Sequence, residues 1–172
     1  MNPGTPIHEA GTVILATENY VLYNDQVLIH RRSLTKSRFP GFILGPGGRL
    51  DQGEDVVTAA VREIYEETGI KVPATDVTLA AVAIHHHLDR GEIWVNFISR
   101  SDLTKPPAQI RHSDEGTSEW IPVKSLKDEG KIFPPSKDYI EHIISDQPGI
   151  LYTNVEFRGG EPVRVLSSTL VK

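Results

Sequence analysis

Residues 47–70 read GGRLDQGEDVVTAAVREIYEETGI. A glycine-rich loop runs into a helical pattern from Asp55 to Thr68, with Asp55 placed as an N-cap and Gly69 as a stop. Val57, Ala60, Val61, Ile64 and Thr68 recur at helical spacing and form one mostly apolar stripe. Glu63, Glu66 and Glu67 share a single turn, where like charges three and four residues apart repel by roughly 0.2–0.5 kcal/mol per pair. They also sit at the helix end where the macrodipole favours cations. Arg62 is the only obvious cationic neighbour. At about 100° per residue, the three carboxylates centre about 120° from the apolar stripe, on a face adjoining the buried one. A solvated acidic face is the plain reading. A hard divalent cation, which takes oxygen ligands and relieves the repulsion, is the alternative, and the absence of an intervening lysine favours it.

Working outward, TVILATENYVLYNDQVLIHRR reads as two strands broken at Asn24-Asp25, a hairpin signal. SLTKSRFPG is a basic loop, and FILGPGG a short strand entering a Gly-Pro turn. VTLAAVAIHHHL and EIWVNFISR read as strands around Asp89-Arg90-Gly91, and SEWIPV as another. KSLKDEG and SKDYIEHIISD are expected to be helical, and ILYTNVEF and PVRVLSS to close a hairpin at Arg158-Gly159-Gly160. The expectation is an α/β (α+β) fold with a mixed sheet, in a single domain over residues 1–172.

The chain has 172 residues, 38% hydrophobic and 24% charged, which is ordinary for a globular protein. Its net charge of −5 gives no general basic footprint for nucleic acid. Anionic substrates would be met locally, by a metal or a few basic side chains. The lack of cysteine removes thiolate ligands, disulfides and a cysteine nucleophile, and suits a cytoplasmic protein. No signal-peptide pattern opens the chain and no apolar run approaches a membrane span.

Gly48, five residues, Glu54, seven residues, then Arg62-Glu63-Ile64-Tyr65-Glu66-Glu67-Thr68-Gly69-Ile70 resembles the Nudix box at every fixed position. The resemblance implies an α/β/α sandwich, a loop-helix-loop metal site and hydrolysis of a pyrophosphate bond in a nucleoside diphosphate derivative. By the same resemblance Glu63, Glu66 and Glu67 are ligands for Mg²⁺ or Mn²⁺, one of them also handling the attacking water. Gly47 stands where a backbone carbonyl joins the metal shell. Glu54 matches a loop-bracing position that is structural or an outer metal contact, and Arg62 a buttress. Arg49, where many members carry lysine, is a phosphate contact or a solvated loop cation.

Beyond the box, HSDEGTSEWIPVKSL resembles the segment in which MutT-type members complete the metal site with a loop glutamate. Glu115 is the candidate for that role, with Asp114 and Glu119 as competitors. Trp120 reads as core packing more than as a base platform. In the triple histidine, strand alternation sets His85 and His87 on one face and His86 on the other, which favours a pocket role over a metal site. His30, Arg31, Arg32, Lys36 and Arg38 meet phosphates or form a solvated loop. The expected substrate is a small nucleotide, foremost a nucleoside triphosphate of the MutT branch and 8-oxo-dGTP-like in one version. A nucleotide sugar and an RNA 5′ end are the alternatives, and a non-catalytic nucleotide-binding module is the reading from another class. A monomer or homodimer is expected.

Overall fold

The computed structural model describes residues 11–105 and 109–172, so the opening segment read for a leader lies outside the described residues. Thr12–Tyr23 (β1) and Gln26–Arg32 (β2) flank the expected turn, where Asn24 and Asp25 take φ of 47° and 59°. Two consecutive positive φ values are what a tight hairpin turn requires. Ile43–Leu44 (β3) and Gly47–Arg49 (β4) lead to the helix Val56–Thr68 (α1). Thr78–His87 (β5), Glu92–Asp102 (β6), Gly116–Pro122 (β7), the short helix Ile140–Ile144 (α2), Ile150–Arg158 (β8) and Glu161–Val171 (β9) follow.

The strands form one mixed sheet in the order β3-β2-β1-β6-β5-β8-β9, with β4 added to β1 and β7 to β2. The β1–β6 and β5–β8 pairs are parallel and the others antiparallel. β1 pairs with β2 only beside the turn, at Leu22↔Val27 and Tyr23↔Gln26. It then takes β4 against its edge instead, at Ala16, Thr17 and Glu18. This splay brings the glycine loop under the sheet edge where α1 lies.

Alternation along the strands separates two cores. Tyr20, Leu22, Val27, Ile29 and Ile98 pack with Tyr139, Ile140 and Ile143 on the α2 side. Val21 and Leu28 pack with Ile64, Ile70 and Val72 on the α1 side. The result is the expected sandwich, with a thinner second layer than the helical patterns suggested. Residues Val123–Asp128 and Pro134–Asp138 are 3₁₀ turns, and α2 has 5 residues. Pro134 and Pro135 supply no backbone N–H, and Asp146 at φ 53° ends the run before Pro148.

Helix α1 begins and ends where the residues indicate. The Asp55 carboxylate accepts from the Val57 and Thr58 amides at 2.9 and 3.0 Å, and Gly69, at φ 74°, donates to the Tyr65 carbonyl at 2.8 Å. Its buried face is rotated from the expected stripe. Ala59, Ala60, Ile64, Glu67 and Thr68 are buried, whereas Val57 and Val61 are only partly so. Packing against β1, β4 and β7 draws Glu67 inward, so the three carboxylates do not share one exposed patch.

Candidate active site

Arg62 answers the charge crowding first. Its Nε and Nη2 donate to the two oxygens of Glu54 at 2.9 and 2.8 Å, and Nη2 also reaches the Arg49 carbonyl at 3.1 Å. Nη1 donates to Glu63 at 2.8 Å and Glu66 at 3.2 Å. All three guanidinium nitrogens are therefore engaged, and the side chain braces the loop against the helix as a five-donor fork can. Glu54 Oε2 also accepts the Asp51 amide at 3.0 Å, and these hydrogen bonds hold its carboxyl down at about 2. A Cβ on Gly48 would come within 2.4 Å of the Glu63 carboxylate, so a larger residue there would push that carboxylate aside.

Glu67 lies deepest, 5% exposed. Its Oε2 accepts the Gly47 amide at 3.0 Å, and its Oε1 stands 3.7 Å from His30 Nε2. Burial, with Glu63 and Glu115 nearby, pushes its carboxyl up to about 8 against the opposing Gly47 hydrogen bond. Burial raises Glu63 as well, and Arg62 opposes that rise. Glu66 is the exposed member of the three.

Glu63 and Glu66 line a cavity of about 520 Å³ together with Gly47, Gly48, Arg49 and Glu115. Arg32 and Arg38 line it from the basic loop. Trp94, His85, Asn96 and His87 line it from the sheet, and Phe39 and Phe133 from loops. Arg49 links the two groups, its guanidinium 5.1 Å from the Trp94 ring centroid. Trp94 is held by an indole hydrogen bond to Glu92 at 3.0 Å, and Glu92 is gripped by both terminal nitrogens of Arg38.

The other candidates divide. Glu115 reaches this cavity, with its carboxylate on Lys36 Nζ at 3.0 Å. Glu119 turns to Arg31 at 3.3 Å, and Asp114 lines a separate shallow pocket. Trp120 packs against the Ile64 core, as its reading favoured. His85 and His87 are buried on one face, while His86 bonds Asn154 at 2.9 Å on the other.

Trp94 and Glu18 escaped sequence reasoning, and His30 was named there but in another setting. Trp94 stood inside an ordinary strand pattern. His30, read with the basic loop, is buried against Ser118 at 2.9 Å. Glu18 is buried and accepts hydrogen bonds from Tyr20 at 2.5 Å, Ser136 at 2.9 Å, the Gly45 amide at 3.2 Å and Tyr139. Burial pushes its carboxyl up. It anchors the chain just ahead of Gly47, and a polar residue in a strand gave no signal of that.

Among the described residues no three acidic or imidazole side chains stand close enough to enclose a metal ion. Arg62 holds Glu63 and Glu66, and Glu67 is turned to Gly47. The donor set nevertheless fits a hard divalent cation in kind. It consists of carboxylate oxygens whose buried members are raised by desolvation and mutual repulsion, the two costs a cation offsets.

Residues 16–143 match the family model described as NUDIX domain. The chain belongs to the Nudix family. An RNA pyrophosphohydrolase of Agrobacterium fabrum is 33% identical over 122 residues, covering 59% of this chain and 68% of that protein. The m7GpppN-mRNA hydrolase NUDT17 of Xenopus laevis is 41% identical over 49 residues, covering 28% of this chain and 17% of that longer protein. The crystal structure of a MutT protein from Bacillus halodurans superposes with a TM-score of 0.74 at 24% identity, over 91% of this chain and 97% of that one. This last likeness is one of fold. Residues 16–143 are thus a Nudix domain, of a family that generally uses divalent metals.

Proposed function

We propose that this chain hydrolyses a nucleoside 5′-triphosphate, in one version an oxidised purine nucleotide such as 8-oxo-dGTP, to a monophosphate and pyrophosphate. The supporting observation is the single cavity in which box carboxylates and arginines meet an aromatic and histidine wall. Its volume of about 520 Å³ suits one nucleotide. Water adds through oxygen to phosphorus, the bond to the departing pyrophosphate breaks, and the proton of the water leaves through a carboxylate to solvent. Glu63, Glu66, Glu67, the Gly47 carbonyl and Glu115 would hold Mg²⁺ or Mn²⁺. The ion would neutralise charge on phosphoryl oxygens and acidify water. Arg49, Arg32 and Arg38 orient the phosphates, Arg49 being able to do so bidentately. Arg62 and Glu54 keep the loop and helix in register for them.

A second reading, removal of pyrophosphate from an RNA 5′ end, is favoured by the similarity to the Agrobacterium enzyme. The net charge of −5 opposes tight binding of a long RNA. No described helix is long and apolar enough to cross a membrane, and the reading adopts a cytoplasmic setting, where nucleotides are abundant. The test is a substrate panel with Mg²⁺: nucleoside triphosphates, 8-oxo-dGTP, nucleotide sugars and 5′-triphosphorylated RNA, each with product analysis. Turnover of free triphosphates to monophosphate and pyrophosphate is expected. Activity on nucleotide sugars alone overturns both readings, and activity on RNA alone selects the second.

A further inference from the structure

The sheet side of the cavity carries a polar pair that the phosphate chemistry does not use. His85 and Trp94 are direct cross-strand partners on β5 and β6, and Asn96 follows Trp94 on the same face of its strand. Asn96 Nδ2 donates to His85 Nδ1 at 3.0 Å and lies 3.4 Å from the Ala83 carbonyl oxygen. The opposite amide orientation would set two acceptors against each other at Ala83, so the nitrogen belongs where it is. His85 Nδ1 is consequently an acceptor, and the ring proton of a neutral imidazole sits on Nε2. Burial, with His87 and His86 nearby, pushes His85 down to about 3, so the ring is neutral near pH 7.

The resulting Nε2–H has no hydrogen-bond partner, although His85 is only 2% exposed and lines the cavity. Nearly all buried polar atoms are paired, so an orphaned donor on a cavity wall calls for a partner. Asn96 Oδ1 makes no hydrogen bond among the described residues, and Asn96 also lines the cavity. The two lining residues thus hold one unpaired donor, His85 Nε2–H, and one unpaired acceptor, Asn96 Oδ1. Phe157, edge-on to His85 at 5.0 Å between centroids, backs the imidazole ring.

We infer that His85 and Asn96 select the base, His85 Nε2–H donating to a ring carbonyl and Asn96 Oδ1 accepting from the adjacent ring N–H. This rests on the nucleoside triphosphate reading and narrows it to bases with a lactam edge, of the guanine, hypoxanthine or uracil type. Adenine and cytosine present an amino group where the carbonyl is required, which sets donor against donor. A site built around such hydrogen bonds discriminates strongly, because the wrong base leaves the buried His85 Nε2–H unpaired.

The test compares kcat/KM for inosine and adenosine triphosphates, which differ at the recognised edge, using wild type and His85→Phe in Mg²⁺. Wild type is expected to favour the inosine compound by on the order of 10-fold or more, and His85→Phe to bring the ratio close to one. A wild-type ratio near or below one, or a ratio unchanged in a folded His85→Phe, overturns the inference and leaves the triphosphate reading standing. No turnover of any nucleoside triphosphate by folded wild type overturns that reading and this inference with it. Ring ¹⁵N spectra of wild type give a second measurement that does not depend on the variant folding. Protonation at Nε2 with bare Nδ1 is expected for His85, and the reverse tautomer overturns the assignment.

Discussion

The Arg62 guanidinium lies edge-on to Glu54, Nε to Oε1 at 2.9 Å and Nη2 to Oε2 at 2.8 Å, with its last nitrogen shared by Glu63 and Glu66. A bidentate fork of this kind cannot be reproduced by an ammonium group. Arg62→Lys is therefore expected to leave the fold intact, lower kcat by roughly 10- to 100-fold through misplacement of the carboxylates, and raise the metal concentration needed for half activity. Steady-state kinetics across a Mg²⁺ titration check this. Wild-type kcat and metal dependence in the lysine variant would show that the clamp is dispensable.

Glu67 ties stability to pH. An unfolded glutamate ionises near 4.5, and the folded group only near 8. Between those values the folded protein holds the extra proton, so stability contributed by this group falls as pH rises through that window. In chelator, wild type should melt progressively lower from about pH 5 to pH 8, and Glu67→Gln should flatten the slope. Thermal melts at several pH values provide the reading. An identical slope in both proteins would assign the pH dependence to other groups.

Glu115 is exposed and engaged by Lys36 rather than by the helix. If it joins the site during turnover, Glu115→Gln should reduce kcat more than it raises KM, since it would disturb the reaction step and not docking. Lys36→Met removes the competing partner and should lower the metal concentration for half activity. Unaltered kinetics in Glu115→Gln would return this residue to the loop surface.

What was legible in the sequence was what local chemistry controls. Asp55 and Gly69 fix the ends of α1 through their own caps, and Asn24-Asp25 turns its hairpin without help from distant residues. The alternation of His85, His86 and His87 follows from the strand alone. The arrangement between elements was not legible. The parallel pairing of β1 with β6 joins segments far apart in the chain, and it brings Ala16, Thr17 and Glu18 beside Trp94 and Asn96 in the cavity lining. Glu67 turned inward because β4 and β7 pack where the helical stripe alone would have placed solvent. Glu18 acquired its role from Tyr139 and Ser136, more than a hundred residues away. Trp94 and Trp120 look alike in sequence, and only tertiary packing sends one to the cavity and the other to the core.

The central claim is metal-dependent hydrolysis of a pyrophosphate bond by the carboxylates of α1. Phosphorus NMR of a nucleoside triphosphate incubated with wild type or Glu67→Gln, in Mg²⁺ and in chelator, tests it most directly. Wild type in Mg²⁺ should yield monophosphate and pyrophosphate with no early orthophosphate. Chelator should abolish the reaction, and Glu67→Gln should slow it by at least roughly 10²-fold. Nucleoside diphosphate with orthophosphate as the products, or equal rates in wild type and Glu67→Gln, would contradict the account.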